Sequence, residues 1–174
     1  MYYTARLLPR EFPKIGVPYE GGIIAYILVN GDPGYDATKI KGLIVAPSLG
    51  AHAWSNVAST SLTGTTAALG TGLSNSNLIV SQTGHISSAA KLCLDFRGGG
   101  LADWFLPSKD ELNKLFLNRS LIGGFDYTWS STQAISIPTA QAYMQWSTGE
   151  SGQNYKSDLF AVRPVRSFTI NYTL

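Results

Sequence analysis

Ala140-Gln-Ala-Tyr-Met-Gln-Trp-Ser147 is the stretch whose reading decides the fold. Ala140, Ala142, Met144 and Trp146 alternate with Gln141, Tyr143, Gln145 and Ser147, and a period of two marks a strand with one buried and one open face. The open set holds amides, a phenol and a hydroxyl and no charge, so it donates, accepts and stacks at small desolvation cost. Such a face suits a paratope-like recognition surface better than a catalytic pocket. Upstream, Tyr127-Thr-Trp-Ser-Ser131 is β-prone, with Trp129 directed to the core. Downstream, Phe160-Ala-Val-Arg-Pro-Val-Arg-Ser-Phe168 reads as a closing strand that Pro164 confines to an edge or a bulge. Between them, residues Thr148 to Asp158 are rich in turn formers and predict a loop or irregular hairpin near the open face.

The first half of the chain supplies the other elements. Residues 1–20, with Pro9, Pro13 and Pro18 interleaved with basic side chains, read as an extended lead-in or connector, and residues 21–174 as one ligand-binding domain. Gly21 to Val29 is continuously apolar, and Asn30-Gly-Asp-Pro-Gly34 is a turn signal, so Lys41 to Ala46 is expected to return antiparallel to it. From Ala51 to Asn77 the chain is mostly Ser, Thr, Gly, Ala and Asn, a long surface segment anchored by Trp54. Gly70-Thr-Gly-Leu-Ser-Asn75 superficially resembles a phosphate loop, but it lacks the Gly-Lys-Ser/Thr ending and a βαβ setting. Its glycines are read as a turn into a helix capped by Ser74 or Asn75.

A helix over Ser87 to Phe96 follows, with Cys93 on its inner side, and Arg97-Gly-Gly-Gly100 ends it. Ser108 and Glu111 have capping-box spacing ahead of Leu112, Leu115 and Phe116, and Asp110 and Lys114 are placed to pair at i and i+4. Two strands, a long irregular segment, two or three helices and a late antiparallel sheet make an α+β domain.

Composition narrows the function. Only 14 % of residues are charged, against roughly 25 % in ordinary soluble domains, so the surface is neutral and polar. A net charge of +2 gives no reason to expect nucleic acid. With Cys93 as the only cysteine, neither an intrachain disulfide nor a thiolate metal cluster can form. The longest apolar run is too short to span a bilayer, so membrane insertion is not expected. Met1-Tyr-Tyr-Thr-Ala-Arg6 lacks a secretion signal, which suggests a processed fragment or a virion component.

Several motifs resemble, in order, the bacterial Lcl C-terminal (DUF1566) domain family. They are Gly21-Gly-Ile-Ile-Ala-Tyr26, Gly70-Thr-Gly72, Ala89-Ala-Lys-Leu-Cys93, Asp103-Trp-Phe-Leu-Pro-Ser-Lys-Asp-Glu-Leu-Asn113, Trp129-Ser-Ser-Thr132 and Val162-Arg-Pro-Val-Arg166. The resemblance spans about Gly21 to Phe168 and implies a C-type-lectin-like fold, related to the variable proteins of diversity-generating retroelements and to fibre-tip adhesins. In those variable proteins the segment corresponding to Gln133 to Ser157 presents the ligand-binding residues. The candidate ligand-binding residues are therefore Gln133, Gln141, Tyr143, Gln145, Gln153, Asn154 and Tyr155. The expected partner is a cell-surface glycan or protein, and the setting is extracellular, on a cell surface or a virion, in a homo-oligomer such as a trimer.

No cofactor is expected. The chain carries none of the Glu-Pro-Asn, Gln-Pro-Asp or Trp-Asn-Asp triplets through which lectins hold calcium. Asp95, Asp103, Asp126 and Asp158 offer hard oxygens without a recognisable loop spacing and are read as solvated or capping carboxylates. No enzyme is expected either: His52 and His85 lie in Ser/Gly-rich contexts outside any metal motif, and an enzyme would show one of them in a deep pocket beside a carboxylate. Arg163 and Arg166 match planar oxyanions, but sit three apart on a strand and point opposite ways. One is expected to pair with Asp103 or Glu111. The alternative to recognition is a structural virion or fibre component whose polar face joins subunits.

Overall fold

A computed structural model describes residues 13–137, 141–145 and 148–171. In chain order the elements are β1 (Pro18–Tyr19), β2 (Gly22–Ile27), β3 (Lys39–Val45), β4 (Ala51–Ala53), α1 (Gly72–Val80), α2 (Ala89–Asp95), α3 (Lys109–Leu117), β5 (Thr128–Gln133), β6 (Gln141–Gln145), β7 (Ser151–Tyr155), β8 (Leu159–Ala161) and β9 (Val165–Asn171). One sheet has the order β1-β2-β3-β9 and the other β4-β8-β5-β6-β7. Apart from a single parallel β5–β8 pair, Thr128 with Ala161, the ladders are antiparallel. The α+β class read from the sequence is the observed one.

The first sheet is buried on both faces, which explains why Gly21 to Val29 reads as an unbroken apolar run. Ala25, Leu43 and Val45 meet Leu112 and Leu115 of α3, while Ile24 and Ile44 meet Trp104 and Phe168 on the other side. A third cluster packs α1 and α2 on the second sheet, through Ile79, Ala90, Cys93, Trp54, Trp129 and Ala142. Trp54 donates its indole N–H to Ser130 O at 2.8 Å and Trp129 donates to His52 O at 2.9 Å, so each buried indole finds a partner across the sheet.

Leu101 to Phe116 joins all three clusters. Trp104, Phe105 and Leu106 each enter a different one. The backbone of Phe105 exchanges hydrogen bonds with Val165 at 2.8 and 2.9 Å, and Ser76 Oγ accepts the Leu106 N–H at 3.0 Å. Ser108 and Glu111 form the expected capping box. The remaining first-turn donors of α3 are also satisfied: Lys109 N–H by Thr132 Oγ1 at 3.0 Å and Asp110 N–H by Ala67 O at 2.9 Å.

Glu111 does more than close its own helix. Its buried carboxylate accepts from Ser108 N–H at 2.7 Å and Gly70 N–H at 2.9 Å, and takes a further bond from the Gly72 backbone. The glycine turn therefore does cradle an anion, and the anion is a side chain of the same protein. This corrects the expected cap: α1 begins at Gly72, ahead of Ser74 and Asn75, and Thr71 at its N-cap makes no side-chain cap bond. Asn75 is buried instead, holding Thr66 through both its N–H and C=O and donating to Ser131 Oγ.

Other expectations are corrected too. Of the loop and the irregular hairpin expected over Thr148 to Asp158, the hairpin forms, and it is regular over residues 151–155 because β6 offers them a complete register. Phe160 to Phe168 is two strands in different sheets, with Pro164 at the crossover, where no ladder N–H is required. Lys114 turns away from Asp110 to Asp32 Oδ1 at 3.2 Å and Tyr26 Oη at 2.9 Å. Residues 13–20, read as part of the lead-in, pack on the first sheet through β1, Ile15 and Tyr19.

A Cβ at Gly72 would lie 2.3 Å from Glu111 Oε2 and 2.7 Å from the Phe105 ring. Gly72→Ala should lower unfolding free energy by about 1–3 kcal/mol, as overpacking does, whereas exposed Ser74→Ala in the same helix should stay within about 0.5 kcal/mol. Urea denaturation of the two variants checks this; equal effects would contradict the crowded contact.

Candidate functional site

β6 and β7 build the candidate face. Their register sets Gln141 opposite Tyr155 and Tyr143 opposite Gln153, so these four side chains share one side of the sheet, and pairs the Gln145 backbone with Ser151. Ala142 and its partner Asn154 take the other side, where Ala142 enters the core. β7 is the edge strand, and Tyr155 is 54 % exposed. Gln153 accepts a hydrogen bond from the Ser136 hydroxyl, and Gln141 is half-buried. The ammonium of Lys109, the first residue of α3, stands 4.9 Å from the centre of the half-buried Tyr143 ring.

The seven sequence candidates therefore separate. Gln141, Tyr143, Gln153 and Tyr155 come together on the open side. Gln145 pairs in register with them through its backbone, while its side chain, like Ala140, Trp146 and Ser147, lies outside the described residues. Gln133 is buried: its Oε1 accepts from Leu62 N–H at 2.6 Å and Lys156 Nζ at 2.9 Å, and its Nε2 donates to Leu62 O at 2.9 Å. Asn154 faces the opposite side and accepts the Tyr155 N–H at 2.9 Å. Lys109, Ser136 and the exposed Ile135 and Ile137 were not placed here from sequence, because their proximity depends on the α3 packing and the β5–β6 connection.

Two further contacts fix the hairpin. Gly149 has φ of +104°, and a Cβ there would lie 2.6 Å from the Phe116 ring, so the β6–β7 turn rests directly on α3. Lys156, just after β7, is fully buried; its ammonium donates to Thr60 O at 2.9 Å and Gln133 Oε1 at 2.9 Å and lies 5.0 Å from the Trp54 ring. Loop, β5 end and β7 end thus share one buried cation.

The histidines do not form a comparable site. His52 bonds Leu49 O through Nε2 at 3.2 Å and lines an open groove of about 220 Å³ with Lys91 and Asp95. Asp95 is held by Lys91 at 2.7 Å. His85 meets Ser88 Oγ at 2.8 Å, but that oxygen is buried and already caps α2 through Lys91 N–H. Arg166 forms the expected pair with Asp103, bidentate at 2.8 Å on each arm, and also meets Glu20. Among the described residues no three metal-capable side chains gather, and no helix is long and apolar enough to cross a membrane. No protein-family model matches the chain, and no curated protein matches it.

Burial pushes the Lys156 ammonium from its ordinary 10.5 down to about 8. Between these values the unfolded chain holds a proton that the folded chain has released, so stability rises with pH. The stability of the wild type relative to Lys156→Met should therefore increase by about 3 kcal/mol from pH 8 to 10.5, read from paired denaturation curves. Curves that stay parallel would contradict the depressed value.

Proposed function

We propose that this chain is a non-enzymatic recognition module that binds a surface glycan or protein through the outer side of β6 and β7. The observation that carries the reading is the register: Gln141 beside Tyr155 and Tyr143 beside Gln153 set aromatic rings and neutral amides in one patch on an edge hairpin. Tyrosine supplies contact area at low entropic cost and amides supply adaptable hydrogen bonds, which is the chemistry of a paratope. Tyr143 and Tyr155 are the anchors, with Gln141 and Gln153 around them. Asn154 and Gln133 support the patch from behind and from its end.

The motif order resembling Lcl C-terminal domains supports a C-type-lectin-like fold and a place at the tip of an adhesin or receptor-binding fibre, outside the cell or on a virion. A homotrimer would multiply weak single-site binding through effective concentration. A second reading, a fibre or virion component joined to other subunits by this face, draws on Ile135, 82 % exposed, and Ile137, also exposed, in the connection leading to β6.

Tyr155→Ala tests the reading most simply, since the side chain is exposed. Binding to a glycan array or a candidate receptor should fall at least about tenfold, a loss of 1.4 kcal/mol, with Tm unchanged within about 2 °C. Tyr143→Ala should act similarly on binding and cost about 1 kcal/mol of stability through the lost Lys109 contact. Unaltered binding by both folded variants would remove this face as the site.

A further inference from the structure

The two arginines of Val162-Arg-Pro-Val-Arg166 have different electrostatic fates. Arg166 is neutralised by Asp103 and Glu20. Arg163 is 7 % exposed and donates only to neutral carbonyls: Nε to Ala46 O at 3.2 Å, Nη1 to Gly124 O at 2.9 Å and Nη2 to Ile122 O at 3.0 Å. None of the ion pairs among the described residues includes it. A guanidinium has five N–H donors, so these contacts leave two. Burial lowers its pKa, as expected for a cation desolvated without an anionic partner.

Arg163 lines an open groove of about 480 Å³ between the two sheets, walled by Pro47, Ser48, Gly123, Gly124 and Asp126. That volume lies within the roughly 300–1,000 Å³ usual for small-molecule sites. Gly123 and Gly124 both have φ of +85°, and a Cβ on either would meet nothing within 4 Å, so the space before them is empty of protein. The groove continues past Ser48 and Asp126 into a second hollow of about 330 Å³ bordered by Tyr127 and Phe160. Tyr127 is 45 % exposed, and its ring lies 6.3 Å from that of Phe160, at a tilt of 39°.

We propose that this groove is a second binding site, for an acidic saccharide: a sugar carboxylate on Arg163, hydroxyls on Asp126 and Ser48, and an apolar ring face on Tyr127. The site shares no residue with the β6–β7 face. Arg163 supplies the planar, charge-assisted donors that a carboxylate matches. Asp126 repels a bare anion and favours one carrying hydroxyls, which can donate to its Oδ2, since its Oδ1 already accepts the Tyr127 N–H at 2.7 Å. Tyr127 gives the ring a stacking surface at the far end of the groove.

The test is an NMR titration of the ¹⁵N-labelled full chain with glucuronic acid, glucose and acetate as separate probes. Glucuronate should shift the amides of Ser48, Gly123, Gly124 and Asp126, and bind at least about tenfold more tightly than either glucose or acetate, a difference of 1.4 kcal/mol. Ser48→Trp, which fills the groove at an exposed position without touching the Arg163 contacts, should abolish those shifts with Tm unchanged. Arg163→Lys should weaken binding about tenfold by removing the two remaining guanidinium donors while keeping the charge. Acetate binding as tightly as glucuronate, glucose binding as tightly as glucuronate, no shifts at these amides, or undiminished binding by folded Ser48→Trp would each overturn the proposal.

Discussion

The buried carboxylate of Glu111 is the contact on which the rest of the structure depends. It sits where the N-termini of α1 and α3 converge and takes N–H groups from Gly70, Gly72 and Ser108. Two helix N-termini carry partial positive charge, and one anion between them satisfies orphan donors of both. Burial raises its carboxyl above the usual value, against the N–H groups, which favour the ionised form. With the two helix starts joined, Trp104, Phe105 and Leu106 are delivered to three separate clusters from one short extended segment. The same segment carries Asp103 to Arg166 and the Pro107 carbonyl to Ser131 N–H at 2.7 Å, so both sheets are referenced to it.

The candidate recognition face inherits its rigidity from this junction. Lys109, the first residue of α3, reaches over Tyr143 while its own N–H is bound by Thr132 of β5. At the last residue but one of the same helix, Phe116 supports Gly149. The hairpin is therefore positioned by α3 at the middle of β6 and at the β6–β7 turn, and from the opposite side by the buried Lys156 and Gln133. An edge strand held this way presents its side chains without needing a second layer over them.

Much of this architecture is legible in the sequence where local chemistry decides it. The capping box at Ser108 and Glu111, the antiparallel return of Lys41 to Ala46, and Trp129 in the core follow from spacing and periodicity alone. The alternation of Gln141, Ala142 and Tyr143 likewise gives the two faces of β6. What escaped is tertiary. The partner of the Gly70 turn lies 41 residues away, so its glycines read as a bare turn. Residues 151–155 have poor strand propensity and become a strand because β6 provides a ladder. Gln133 resembles its neighbours in composition, yet a loop from residues 61–62 folds over it and turns a surface amide into an interior one. Arg163 and Arg166 are identical in type and differ only in whether the fold brings a carboxylate to them.

The most direct test of the Glu111 junction is the unfolding free energy of Glu111→Gln at neutral pH, measured by urea denaturation with hydrogen exchange at the Gly70 and Ser108 amides. An amide at this position turns an NH₂ donor toward a backbone donor. A loss of about 1–3 kcal/mol and faster exchange at both amides are expected. A variant as stable as the wild type, with both amides still protected, would contradict the role given to Glu111.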